Sequence, residues 1–252
     1  MGQIIAVVNQ KGGVGKTTTA VNLTYALTRL NQRILLCDLD PQANATSGMG
    51  AEKGEENSSY QVLSDPDSVR SCITKTEFGD LIRSGPDLSG AGIELVTAEN
   101  REFRLQNALE QIREDYDKIL IDCPPSLELL TLNALVAADS ILVPVQCEYY
   151  ALEGLSDLMR TLRSVKAAYN PGLELYGVVL TMYDGRTNLS YQVADEVRRH
   201  FPGKVFTTVI PRNIRLSEAP SHGVPVQKYD RTSRGAEAYG KLAEEIVRKE
   251  GR

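Results

Sequence analysis

Short apolar runs alternate along the chain with longer stretches whose apolar residues recur every three or four positions. Runs at Ile4 to Asn9, Arg33 to Leu39, Ile93 to Thr97, 118–122, 141–146, 175–182 and 205–210 predict strands. Lys16 to Leu30 predicts a helix, because Ala20, Leu23, Ala26, Leu27 and Leu30 share one face. Arg101 to Arg113, 127–138, 152–168, 188–200 and 234–249 predict further helices. Continuous apolar strands alternating with amphipathic helices imply a mostly parallel, twisted sheet with helices on both faces. Between residues 50 and 92 the periodicity weakens and Gly, Ser, Asp and Glu dominate. That segment reads as an irregular excursion with short helices, so the expectation is one α/β domain over residues 1–252.

Composition narrows the class. The 252 residues are 42% hydrophobic and 24% charged, which excludes disordered and fibrous chains. No run of 18 apolar residues is present and the start lacks the basic region of a signal peptide, so a cytoplasmic protein is expected. Cys37, Cys72, Cys123 and Cys147 have no metal-like spacing and read as reduced thiols. His200 and His222, with no third ligand nearby, read as a helix-end and a loop residue. The net charge of −5 hides an asymmetry: residues 1–159 carry 12 Lys/Arg against 23 Asp/Glu, and the remainder 16 against 10. A basic final third is either a polyanion-binding face or a set of solvated helices.

The chemistry concentrates where the first strand meets the first helix. Lys11-Gly12-Gly13-Val14-Gly15-Lys16-Thr17-Thr18 supplies glycines that let backbone N–H groups turn around a phosphate, at a helix N-terminus that adds positive potential. Gln10 stands where an ordinary Gly-x4-Gly-Lys-[Ser/Thr] loop has its first glycine. Lys16 is expected on the β- and γ-phosphates of ATP, Thr17 on Mg²⁺ and Thr18 near the α-phosphate. The run Ile119 to Asp122 is a hydrophobic strand ending in an acid, where a carboxylate orients the water shell of Mg²⁺. Asp38 and Asp40 end the second strand and, at period two, lie on one side of it. Asp38 can then support Mg²⁺ and Asp40 can position an attacking water.

These motifs carry a resemblance. The loop with its extra Lys11, the segment Asp38-Leu-Asp40-Pro-Gln and the segment Ile121-Asp-Cys-Pro-Pro125 resemble the deviant Walker A ATPases of the ParA/MinD superfamily. Residues 145–154, Arg186-Thr-Asn188 and 211–223 are similar to the chromosomal, Soj-type ParA proteins. The resemblance implies a P-loop NTPase fold and an ATP-bound homodimer in which Lys11 reaches the partner's phosphates. It also implies Lys11, Lys16 and Asp40 as catalytic, Thr17, Asp38 and Asp122 at the metal, and Gly12 at the close approach of two subunits. Pro211 and Asn213 match the loop that holds adenine. Arg186 and Arg215 match arginines that bind double-stranded DNA without sequence preference, and Arg198 and Arg199 are expected to widen that patch. Arg212 either joins them or faces the nucleotide loop. A ParB-type partner that stimulates slow hydrolysis, and a place on the nucleoid, follow from the family alone.

Other readings stand beside this one. A MinD-like membrane ATPase would end in a basic amphipathic helix, whereas Leu242 to Arg252 has three large aliphatics and three glutamates and is expected to pack on the sheet. A metabolic P-loop ligase of the cobyrinate type would need a second-substrate pocket, for which no motif is evident. Only Met1-Gly2-Gln3 precedes the first strand, so no helix-turn-helix domain is expected there. Tyr149 and Tyr150 suggest either base stacking or strand-to-helix packing, and packing is the expectation.

Overall fold

The computed structural model describes residues 2–54, 56–126 and 128–251. In chain order the elements are β1 (Gln3–Val7), α1 (Lys16–Thr28), β2 (Ile34–Asp38), α2 (Asn44–Gly48), α3 (Ser59–Ser64), β3 (Ile73–Thr76), β4 (Gly79–Ile82), α4 (Leu88–Glu94) and α5 (Arg104–Glu110). They continue as β5 (Lys118–Asp122), α6 (Leu129–Ala137), β6 (Ser140–Gln146), α7 (Ala151–Ala168), β7 (Glu174–Thr181), α8 (Asn188–His200), α9 (Ile214–Glu218), α10 (Val226–Tyr229) and α11 (Arg234–Glu250). The expected helix start at Leu127 lies outside the described residues, as do Met1, Glu55 and Arg252.

Seven strands form one sheet in the order β3-β4-β2-β5-β1-β6-β7, parallel except for the β3–β4 pair. Its central strands are buried on both faces, which is why they read as unbroken apolar runs. Alternate residues go to opposite sides. Ile4, Leu35, Ile119 and Ile121 join one core with α5 to α8, while Ile5, Leu36 and Leu120 join the other with α1 and α11. From β1 the chain turns one way to β2, and from β5 it turns the other way to β6, so β1 and β5 flank the crevice where ligands settle in such sheets.

Four sequence expectations need correction. Ile93 to Thr97 is no strand: it ends α4 and continues as a 3₁₀ turn over Leu95–Thr97. Its inward residues are Leu88, Ala91 and Leu95, at helical spacing, while Ile93 is 80% exposed and Val96 56%. The excursion at 50–92 is more ordered than its composition suggests, because it adds the hairpin β3–β4 to the sheet. Phe78, in the hairpin turn, packs edge-on against Tyr25 of α1 with ring centroids 5.3 Å apart.

The third correction is 205–210, which runs beside β7 without forming a regular strand. Phe206 N–H donates to Val178 O at 2.9 Å and Ile210 N–H to Leu180 O at 2.8 Å. Between them, the N–H groups of Thr207 and Thr208 donate instead to the Glu245 carboxylate of α11, at 2.8 and 2.9 Å. The close approach depends on Gly177, where a Cβ would collide with the Phe206 ring. The predicted helix at 101–113 also breaks, into α5 flanked by 3₁₀ turns over Arg101–Phe103 and Arg113–Asp115.

The last helix lies on the sheet, as its alternation of apolar and acidic residues predicts. Tyr239, Leu242, Ala243 and Ile246 are buried in the core with α1. Its final turn is held by Glu250, whose carboxylate takes the Lys118 ammonium at 2.6 Å and the Tyr176 hydroxyl at 2.5 Å. No helix among the described residues is long and apolar enough to cross a membrane.

Candidate functional site

The loop between β1 and α1 is pinned from β6 and β7. Asn9 Nδ2 donates to Pro144 O at 2.8 Å, and its Oδ1 accepts the Lys11 N–H at 3.0 Å. Thr181, the last residue of β7, donates its hydroxyl to Val14 O at 2.8 Å. Gly13 and Gly15 take φ of 73° and 90°, which turns the backbone inward and lets α1 begin at Lys16. Gly12 is exposed, and a Cβ there would meet nothing within 4 Å.

Behind the loop stand the acids. β2 and β5 pair in register, so Asp38 and Asp122 occupy one rung of the sheet, and both are fully buried. Asp38 Oδ2 accepts the Thr46 N–H and hydroxyl, each at 2.7 Å, and its Oδ1 accepts the Asp40 N–H at 3.2 Å. Among the described residues, neither oxygen of Asp122 has a close hydrogen-bond partner. Burial and the facing Asp38 push the Asp122 carboxyl well above its usual range, offset in part by the Thr17 hydroxyl and Lys16. Burial likewise raises Asp38 to about 6. Lys16 is itself buried, and desolvation lowers its pKa against the pull of Asp122 and Asp40. A buried carboxylate without partners, beside a second carboxylate and a hydroxyl, is a donor set suited to a hard dication such as Mg²⁺.

Lys11 points elsewhere. Its ammonium lies 2.8 Å from the carboxylate of Glu148, two residues past the end of β6, with both side chains more than 40% exposed. Lys16 Nζ reaches back to Lys11 O at 3.3 Å. Asp40 lies two residues beyond the end of β2, 9% exposed, its carboxylate accepting the Gln42 N–H at 2.9 Å.

Pro211 and Asn213 meet the phosphate loop. Together with Arg212, Gly15, Thr18 and Met182 they line a cavity of about 290 Å³. A larger cavity, about 630 Å³, opens at the other end of the strands, between Arg33, Arg70, Lys75 and Tyr116. Its three cations pair with Asp117, Asp115 and Asp80, and it lies away from the carboxyl ends of the strands where the phosphate loop stands.

The expected DNA-facing arginines divide into two groups. Tyr183 N–H donates to Ile210 O and Arg212 N–H to Tyr183 O, which joins the loop of Arg186 to the loop of Arg212 and Arg215. Arg186 makes a two-pronged pair with Asp184, at 2.9 and 2.8 Å. Arg215 pairs with Glu218 at 2.7 Å and Asp230 at 3.3 Å. Arg198 and Arg199 lie in the last turn of α8, roughly 15 Å along the helix from the end that Arg186 precedes. Arg199 is paired with Asp195 at 2.6 Å. Tyr149 and Tyr150 depart from the packing expected of them: they are 78% and 64% exposed and stack edge-on against each other. Glu148 and Thr181 are contacts that sequence reasoning does not assign. Their separations of 137 and 167 residues from the loop leave no local signal.

A family profile described as an AAA domain matches residues 2–175. The sporulation initiation inhibitor protein Soj of Bacillus subtilis (strain 168) is 57% identical over 250 residues, covering 98% of this chain and 99% of that protein. The chromosome partitioning protein ParA of Myxococcus xanthus (strain DK1622) is 49% identical over 253 residues, covering 99% and 89%. This chain is a member of the Soj/ParA family. The solved structure of cobyrinic acid a,c-diamide synthase from Mycobacterium smegmatis, with bound ATP analogue and magnesium, superposes with a TM-score of 0.86. It is 36% identical and covers 100% of this chain and 98% of that one. This Soj/ParA protein is therefore an ATPase, its cofactors ATP and Mg²⁺, and its general role that of a chromosome-partitioning ATPase.

Proposed function

We propose that this ATPase works as a paired switch on DNA. ATP closes two copies face to face through their phosphate loops, the pair binds duplex DNA without sequence preference, and slow hydrolysis releases it. The observation that carries this reading is Lys11, a cation at the phosphate loop that is turned away from its own site and held by the exposed Glu148. A lysine so placed can serve a facing subunit, neutralising charge that develops on the transferring phosphoryl group. Open space around Gly12 fits a close approach of two backbones.

Within each copy, Lys16 binds the β- and γ-phosphates, Thr18 lies by the α-phosphate, and the N–H groups of Gly12 to Gly15 cradle them. Thr17, Asp38 and Asp122 hold Mg²⁺, which when bound neutralises charge on the phosphate oxygens. Asp40 orients the attacking water, and Pro211 and Asn213 hold adenine. Arg186, Arg212 and Arg215 form the phosphate-binding face of DNA recognition, doubled by pairing, with Arg198 and Arg199 at its far margin. A ParB-type protein stimulates hydrolysis, and the protein rides the nucleoid. The anchoring of α11 by Lys118 and Tyr176 supports the absence of stable membrane binding through that helix.

The test is binding to random-sequence duplex DNA with ATP, with ADP and without nucleotide, across a salt series. Binding that requires ATP, falls with salt, survives in Asp40→Ala and is lost in Arg215→Ala is expected. If DNA is ignored in every nucleotide state, a metabolic ligase becomes the better reading, one that the likeness to the Mycobacterium smegmatis synthase favours.

A further inference from the structure

The loop that carries Asp40 is gripped by two buried hydroxyls, that of Thr46 from α2 and that of Ser84 just beyond β4. Thr46 Oγ1 donates to Asp38 Oδ2 at 2.7 Å and accepts the Ser84 N–H at 2.9 Å. Ser84 Oγ then donates to the Asp40 carbonyl at 2.7 Å, an oxygen that also accepts the Ala43 N–H at 2.8 Å. Ser59, from α3, donates to the Asp38 carbonyl, with Arg83 O 3.2 Å from the same hydroxyl. Thr46, Ser59 and Ser84 are all fully buried, so water does not compete for these bonds. The Asp40 peptide is thus fixed on its N–H side by Asp38 and on its carbonyl side by Ser84.

We infer that Thr46 and Ser84 are positioning residues for Asp40, through which the β4 end of the hairpin segment sets the geometry of hydrolysis. The inference rests on the reading of Asp40 as the residue that orients the attacking water. Neither hydroxyl reaches the phosphate loop by any hydrogen bond: the Ser84 hydroxyl holds Asp40, while that of Thr46 holds Asp38, a residue of the proposed metal site, and the N–H of Ser84. A displacement of about an ångström at a water-orienting carboxylate is enough to lower turnover severely.

The experiment is steady-state ATP hydrolysis by the full chain with Mg²⁺, for wild type, Ser84→Ala, Thr46→Val, Thr46→Ser and Asp40→Ala, with nucleotide affinity read from a fluorescent ATP analogue. Ser84→Ala is expected to lose about tenfold or more in kcat at unchanged KM and analogue affinity, and Thr46→Val, which also frees Asp38, to lose at least as much in kcat. Thr46→Ser, which keeps the hydroxyl, recovers most of the rate. The inference is overturned if both variants stay within twofold of wild type in kcat. It is equally overturned if the analogue affinity of Ser84→Ala falls in step with kcat, or if Thr46→Ser loses as much as Thr46→Val. Thr46→Val replaces the side chain by one of equal shape, and its melting curve identifies misfolding; if it does not fold, Ser84→Ala alone decides. Full activity in Asp40→Ala would instead remove the role of Asp40, a separate failure.

Discussion

The Lys11 ammonium and the Glu148 carboxylate, 137 residues apart, meet at 2.8 Å on the rim of the phosphate loop. Both are well exposed, so the pair adds little to the stability of one copy, about 0–1 kcal/mol. Glu148→Gln is expected to change thermal melting by no more than that. Lys11→Ala is expected to lower ATP turnover by about a hundredfold or more while ATP binding falls far less. Equal losses in binding and turnover would place Lys11 on its own nucleotide.

Gly12 and Gly15 separate two consequences of adding a side chain. At Gly12 the neighbourhood is open and φ is not left-handed, so Gly12→Val should fold and bind ATP as wild type does. Sedimentation with ATP should then find single copies only. A Gly12→Val protein that still pairs with ATP would exclude this loop from the contact. Gly15→Val must instead strain a backbone at φ 90° and is expected to impair nucleotide binding itself.

The arginine loops predict a graded DNA response. A phosphate must take Arg186 from Asp184 and Arg215 from Glu218, an exchange of one anion for another that salt opposes. Arg186→Ala and Arg215→Ala should each weaken ATP-dependent DNA binding at least tenfold and reduce the slope of log affinity against log salt. Arg198→Ala and Arg199→Ala, at the far end of α8, should do less. Filter binding at four salt concentrations separates these outcomes.

The facing acids set a pH dependence. Asp38 and Asp122 have folded-state pKa values above their unfolded ones, so their contribution to stability is complete below about pH 4; that of Asp38 is lost as pH rises through about 6, and that of Asp122 as pH rises through its own raised value. The chain without nucleotide should therefore gain stability from Asp122→Asn at pH 8 and little at pH 4, by thermal melting. Mg²⁺-ATP should stabilise the wild type more at pH 8 than at pH 5, and stabilise Asp122→Asn far less.

Glu245 predicts a purely structural loss. Burial pushes its carboxyl up, but the Thr207 and Thr208 N–H donors outweigh that and hold it below the usual range. Glu245→Ala leaves two backbone donors without that acceptor and should cost about 2–4 kcal/mol by denaturant unfolding. Wild-type stability in that variant would show that the 205–210 segment does not depend on α11.

The legible parts of this fold are those where one face is buried at a regular period. The sequence pattern bounds α8 at Asn188 and His200, and the central strands to within a residue or two, since burial on both faces leaves long apolar runs. Ile93 to Thr97 misleads because β-branched residues on an exposed helical face look like a strand when read without the surface they face. The hairpin at 73–82 escapes notice because its strands are four residues each. In the site, the phosphate loop, Asp38, Asp40 and Asp122 are legible from local motifs. Glu148, Thr181 and Ser84 are not, because they reach the site only through the order of strands.

Asp38 and Asp122 hang from one rung of the sheet, held by the backbone pairing of β2 with β5. Their spacing is inherited from the most deeply buried part of the molecule and not from any loop. If the pair holds Mg²⁺ as proposed, a nucleotide that departs leaves the cradle for its metal standing. Successive turnovers therefore begin from the same anvil, and what each cycle must rebuild is confined to the rim.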